Sequence, residues 1–292
     1  MSDSKQSEQR LTVAKTYKLY VGGAFPRSES GRTYQVADSK GKFLANAAQA
    51  SRKDARDAVV AARGAFGKWS GATAYNRGQV LYRVAELLEG RREQFVAEVS
   101  ASEGVQAKKA HSIVDAAIDR WVWYAGWTDK IATVLGASNP VAGPYFSFSV
   151  PEPTGVVAVF APQQSSLLGL VSVVAPVIAT GCTAVVVTSQ DRPLPAITLS
   201  EVLATSDVPG GVVNLLTGYT AELAPWLASH ADVNALDLTG APDDLRAELE
   251  ASAAGTVKRV LRAGEQDWAR QPDIGRLRAV LETKTVWHPM GV

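Results

Sequence analysis

A single cysteine among 292 residues excludes any intrachain disulfide and suits a reducing compartment. The three histidines, His111, His230 and His288, are scattered, without metal-ligand spacing and without cysteine partners, so no metal site is expected. Charge of one sign is also missing. The 30 basic and 29 acidic residues leave +1, which removes the usual electrostatic ground for binding nucleic acid or an anionic membrane. No uninterrupted apolar run reaches the ~20 residues that a bilayer span requires. The start of the chain, Met1 to Arg10, is polar and charged with no apolar signal core, and reads as a disordered arm of a cytoplasmic protein. There is no internal repeat, no low-complexity tract and no Gly-x-Gly-x-x-Gly fingerprint.

What is present is enough apolar residue to build a core. A hydrophobic content of 46% against 20% charged fits a soluble globular chain, folded as one large domain or two smaller ones. Tyr17 to Gly23 reads as a short strand ending in a glycine turn. Four helices follow. Ala55, Val59, Ala62, Phe66 and Trp69 recur at helical spacing in the first. Asn76 is the expected N-cap of the second, whose apolar face is Val80, Val84, Leu87 and Leu88. Phe95, Val96 and Val99 mark the third. The fourth, Ala107 to Trp127, aligns Ile113, Ala117, Trp121 and Tyr124; Trp123 and Trp127 on it fit a core or a partner surface equally.

Strict alternation over Tyr145 to Val150 marks a strand, and with Ile131 to Leu135 it suggests a hairpin arm. Strands and helices then alternate. Strands are expected at 155–161, 183–188, 212–217, 234–239 and 257–261, with helices at 165–180, 194–206, 220–229 and 243–254 between them. Such alternation predicts a parallel sheet with right-handed crossovers and helices on both faces. The continuous apolar run Ala184 to Val187 fits a strand buried on both sides. Arg262 to Gly275 is polar and irregular, and Val280 to Trp287 reads as a closing strand.

Five segments fall in a telling order: Glu152-Pro153-Thr154-Gly155-Val156-Val157, Ala179-Thr180-Gly181-Cys182-Thr183, Val208 through Gly218, Ala228 through Val233, and Asp237-Leu238-Thr239-Gly240. Together they resemble the coenzyme-binding domain of the aldehyde dehydrogenase superfamily, over about residues 17–262 and 280–287. The closing strand is similar to the family's oligomerisation strand. The resemblance implies that the thiol-bearing catalytic domain that normally lies between these two regions is absent.

The family's chemistry needs a thiolate nucleophile, oxyanion donors, a nicotinamide and a carboxylate that activates water. Cys182 stands outside the family's nucleophile motif, at a helix-to-strand turn, and reads as a small, partly buried thiol; an activated thiolate would need a nearby cation that the local sequence does not supply. The oxyanion Asn aligns with Gln164 of Pro162-Gln163-Gln164. Its longer side chain misplaces the amide. The ribose-binding Lys-Pro-Ser-Glu segment aligns with Val187-Thr188-Ser189-Gln190, which lacks both charges. At the phosphate-side helix, Gly240 remains, while Ala241 and Pro242 replace hydroxyl residues and Leu245 replaces a glycine. Asp243 and Asp244 bring negative charge to that first turn. The base position aligns with Ala263; Glu265, two residues on, is a displaced alternative. His230, at a helix end, reads as a solvated cation.

These residues imply an α/β fold: a doubly wound, Rossmann-like parallel sheet with N-terminal helices, a β-hairpin arm and a C-terminal oligomerisation strand. The expected divisions are a disordered arm at 1–16, a coenzyme-type domain at 17–130 and 153–265, and oligomerisation elements at 131–152 and 280–292. Through the resemblance, Pro162, Gln164, Ser189, Gly218, Thr239 and Gly240 occupy cofactor-binding positions, and no catalytic residue is assigned. The expected function is a pseudoenzyme that associates with itself or with a full-length aldehyde dehydrogenase, with no cofactor. The alternatives are an NAD(P)-dependent oxidoreductase acting on aldehydes and a nucleotide sensor without chemistry.

Overall fold

Side-chain alternation along two short apolar strands organises the molecule. The computed structural model describes residues 15–262 and 266–291. In chain order a hairpin, β1 (Thr33–Ala37) and β2 (Phe43–Ala48), precedes four helices: α1 (Arg52–Ser70), α2 (Ala74–Gly90), α3 (Arg92–Glu103) and α4 (Ala107–Trp127). A short α5 (Ile131–Leu135) leads into β3 (Ala137–Asn139) and β4 (Tyr145–Pro153). Then come β5 (Val156–Phe160), α6 (Leu168–Ala179), β6 (Thr183–Val187), α7 (Leu194–Thr205), β7 (Val213–Leu216), α8 (Thr220–Ser229) and β8 (Ala235–Asp237). A single 3₁₀ turn over Asp243–Leu245 runs into α9 (Arg246–Ala254), followed by β9 (Arg259–Leu261), α10 (Gly275–Ala279) and β10 (Leu281–Pro289).

The main sheet is parallel throughout, in the order β7-β6-β5-β8-β9. Because side chains alternate across a strand, Val157, Val159, Ala184 and Val186 join one core with α2, α3, α4, α6 and α7. Val156, Ala158, Phe160, Val185 and Val187 join a second core with α1, α8 and α9. Every residue of β5 and β6 is buried, as a sheet covered on both faces demands. The doubly wound, Rossmann-like α/β architecture expected from the sequence is the one observed. Connections run outward from β5 in both directions, so the switch point lies between β5 and β8.

The antiparallel sheet corrects one expectation. Ile131–Leu135 is helix, not strand: Ile131 is buried, and the Gly136 N–H closes the turn on the Ala132 carbonyl at 3.0 Å. The short arm of the hairpin is β3. β10 pairs with β4 along its whole length, from Leu281 opposite Pro153 to Pro289 opposite Tyr145, which gives the order β10-β4-β3. A second correction concerns α2. Its N-cap is Thr73, whose hydroxyl accepts from the Asn76 N–H at 3.2 Å. Asn76 therefore lies inside the first turn. The β1–β2 hairpin and α10 had no counterpart in the sequence reading.

The segment before β10 returns to the sheet through two arginines. Arg276 on α10 reaches Asp237, at the end of β8, with Nη1 to Oδ2 at 2.7 Å; the side chains are 13% and 3% exposed. Arg276 Nη2 also donates to Thr239 Oγ1 at 3.1 Å, and its guanidinium stacks 5.4 Å from the Trp268 ring. Arg120, buried on α4, donates to the carbonyls of Trp268 at 2.9 Å and Arg270 at 3.0 Å. Leu277, Val280 and Leu281 complete the attachment by entering the core beside α6.

Arg276→Ala leaves the Asp237 carboxylate buried and unpaired, so we expect a loss of about 3 kcal/mol in denaturant-induced unfolding. A loss below about 1 kcal/mol, the scale of an exposed pair, contradicts this account. A second expectation comes from Glu98 on α3. Its Oε1 accepts from Thr198 at 2.8 Å, but Oε2 is buried without a partner, and burial raises the carboxyl pKa. A raised folded-state pKa means the protonated form stabilises the fold, and that stability is lost as pH rises through it. Melting temperatures measured from pH ~4 upward should therefore show the parent losing stability relative to Glu98→Gln. Parallel curves refute the assignment.

Candidate functional site

The loops leaving the carboxyl ends of β5, β6, β7 and β8 converge on a cleft of about 440 Å³. This is the switch-point crevice where doubly wound sheets bind ligands. Gln163 comes from the first loop, Gln190 and Asp191 from the second, Thr220 and Ala221 from the start of α8, and Thr239 through Asp243 from the last. Of the six expected cofactor positions, Thr239 and Gly240 line the cleft.

The other four serve the loops behind it. Pro162 is buried and packs against Gly169, where an added Cβ would lie 3.0 Å from the proline ring. Gln164 is exposed, and its carbonyl accepts from Arg192. Ser189 donates its hydroxyl to the Gln163 carbonyl at 2.9 Å and accepts from the Arg192 N–H at 3.2 Å. Gly218 is buried with φ of +140°, against the Ala50 backbone. Gly240 itself is a crossing point: a Cβ there would sit 1.8 Å from the Ala161 carbonyl oxygen. Only glycine allows the β8 loop to pass the β5 loop so closely.

Hydrogen-bond accounting determines what the cleft offers a ligand. The Gln163 side chain braces two loops, donating to the Ala161 carbonyl at 2.9 Å and accepting from the Gln190 N–H at 2.9 Å. The Thr239 hydroxyl donates to Asp237 and accepts from Arg276. In the turn after β8, the N–H groups of Gly240, Ala241 and Leu245 bond to the carbonyls of Phe160, Leu238 and Pro242, and Pro242 has no N–H. The lining carries Asp191 and Asp243 but neither Lys nor Arg. A pyrophosphate needs free N–H groups or cations at such a helix start. In the turn after β8 it meets engaged N–H groups and the Asp243 carboxylate, so that turn does not match the group.

Cys182 lies at the other end of the sheet. It precedes β6, and the five residues of that strand put it about 16 Å from the cleft. It is fully buried, rather than partly so, and its thiol donates to the Val280 carbonyl at 3.3 Å. Arg77, distant in sequence, supplies the cation that the local sequence lacks, yet burial outweighs it and raises the thiol pKa. His230 also departs from its expected role. Its Nδ1 accepts from the Asp232 N–H at 3.1 Å, and burial lowers its pKa, which disfavours the cation.

His111 sits against Arg92 at 2.9 Å and His288 is exposed on β10. Among the described residues no group of three His, Cys, Asp or Glu side chains is placed to hold a metal. Trp121 is fully buried, and Trp123 and Trp127 pack partly buried against the same core. The base positions at Ala263 and Glu265 lie outside the described residues. The sequence reading missed Asp191, Thr220 and Arg276, which come from separate elements with no shared spacing, and it quoted Asp237 within its motif without giving it a role.

The family profile "Aldehyde dehydrogenase family" matches residues 25–264. Aldehyde dehydrogenase family 2 member B4, mitochondrial, from Arabidopsis thaliana is 34% identical over 249 residues, 83% of this chain and 45% of that protein. The cytosolic 10-formyltetrahydrofolate dehydrogenase of Mus musculus is 31% identical over 88% of this chain and 29% of its own length. An NAD+ complex of aldehyde dehydrogenase from Bacillus cereus superposes with a TM-score of 0.78 at 26% identity, covering 84% of this chain and 50% of that one. The chain thus spans about half the length, or less, of the relatives it matches. Its doubly wound sheet, its switch-point cleft and this match across most of its residues place the chain in the aldehyde dehydrogenase family.

Proposed function

We propose that this chain is a non-catalytic member of its family, a subunit that assembles with itself or with a full-length aldehyde dehydrogenase and adjusts assembly or stability. Cys182 is the observation that carries this reading. The chain's one thiol is sealed in the core, at the opposite end of the sheet from the cleft, with its pKa raised by burial. A nucleophile needs the reverse: an exposed, electropositive setting and a lowered pKa. The cleft's carboxylates and the engaged donors of the turn after β8 support the reading that no dinucleotide is held there. A cytoplasmic setting fits the single reduced thiol, and among the described residues no helix is long and apolar enough to cross a membrane.

The assembly half of the proposal draws on β10. Among the described residues this nine-residue strand pairs on one side only, and Tyr145, Phe146 and Trp287 lie exposed on the same small sheet. An open edge with exposed aromatics favours pairing with another chain.

A second reading is favoured by the relatives themselves, whose names are those of dehydrogenases and whose solved counterparts include NAD+ complexes. On that reading the chain is an NAD(P)-dependent aldehyde oxidoreductase, or retains nucleotide binding as a sensor without chemistry. Two measurements separate the possibilities. The purified chain, offered NAD or NADP with a panel of aldehydes, should form no reduced nicotinamide; formation that disappears in Cys182→Ala establishes the enzyme instead. Native mass measurement of the chain taken from its own cells should give an oligomer or a complex with a full-length relative. A monomer that ignores every such relative ends the assembly reading.

A further inference from the structure

We propose that a cavity between α4 and the segment entering α10 binds a small monocarboxylate with an apolar body. The cavity, of about 430 Å³, is lined on one side by Asp119, Arg120, Val122 and Trp123 and on the other by Arg270 and Pro272. It shares no residue with the switch-point cleft, so the inference stands apart from the functional reading above. Its second wall lies beyond residue 264, where the family match ends.

Two observations on facing walls point to an anion. The first is Arg120, which is only 7% exposed and has no carboxylate partner among the described residues. Its hydrogen bonds go to neutral oxygens: the Ser172 hydroxyl at 2.8 Å and the carbonyls of Trp268 and Arg270. A buried guanidinium normally has an anion beside it. Here burial pushes its pKa down, and the positive charge of Arg276 pushes the same way. The Nε–H makes no bond with the described residues, yet Nε is not sealed from solvent. That donor is left for a ligand in the cavity Arg120 lines. The second observation is Arg270. It is exposed, and its side chain makes neither an ion pair nor a hydrogen bond with the described residues.

The rest of the lining narrows the ligand's chemistry. Two guanidinium groups stand against one carboxylate, that of the exposed Asp119, so a single negative charge is favoured and a dianion meets repulsion. Val122, Trp123 and Pro272 supply apolar wall, which a bare inorganic anion does not use. The Trp123 ring is held by Tyr124 at 4.8 Å and Trp127 at 5.4 Å, so this wall is formed before any ligand arrives. The volume suits a small organic acid.

The test titrates benzoate and hexanoate into the purified full chain by calorimetry, with benzamide and hexanamide as neutral counterparts and inorganic phosphate as a second anion. We expect saturable binding of a carboxylate at one site per chain, and no binding of the amides or of phosphate at the same concentration. Arg120 also anchors the segment, so exposed positions carry the variants. Val122→Glu, which sets a like charge in the cavity, should weaken binding at least about tenfold. Arg270→Gln should weaken it about two- to fivefold, and Asp119→Asn should tighten it by a similar factor. No saturable binding at millimolar carboxylate overturns the proposal. So do amides or phosphate that bind as tightly as the acids, and affinities unchanged across the three variants.

Discussion

The buried pair between Asp237 and Arg276 is the constraint on which the rest depends. A carboxylate at the end of a central parallel strand survives burial only with a partner, and the partner comes from α10, late in the chain. That contact brings the returning segment onto the sheet, positions Leu277 and Val280 in the core and leads β10 into register beside β4. It also binds the Thr239 hydroxyl from behind. One ion pair thus links the attachment of the C-terminal elements to the chemistry of the cleft.

The cleft follows from that arrangement. Its geometry is that of doubly wound sheets, four loops at the carboxyl ends of parallel strands. Its polar groups have been turned inward. Gln163 ties the β5 loop to the β6 loop, Ser189 does the same, and Gly240 lets the β8 loop lie against Ala161. Its lining carries the carboxylates of Asp191 and Asp243, with no Lys or Arg beside them. A pocket can keep its shape while its electrostatic preference reverses, because shape depends on apolar packing and preference on a few side chains.

Much of the fold was legible because burial on both faces leaves a continuous apolar run, as in Val156–Phe160, and because α4 carries a long helical periodicity. The hairpin was misplaced where Ile131–Leu135 offered β-branched residues but no alternation, a pattern that helix and strand share over five positions. The β1–β2 hairpin was there to be read: Asp38 accepts from the N–H groups of Lys40 and Lys42, and Gly41 takes a positive φ, the marks of a tight turn. In the site, Thr239 and Gly240 were legible as parts of one contiguous motif. Asp191, Thr220 and Arg276 were not, since only the fold brings their loops together. His230 was misjudged because its burial is invisible in sequence.

The central claim is that this chain holds no usable nucleophile, and the reactivity of Cys182 tests it most directly. The rate of modification by a neutral-pH thiol reagent can be measured in the native chain and again in denaturant. A sealed thiol with a raised pKa should react orders of magnitude more slowly when folded, at a rate set by opening of the structure. Native modification as fast as, or faster than, that of the unfolded chain would reveal an accessible thiolate and contradict the account.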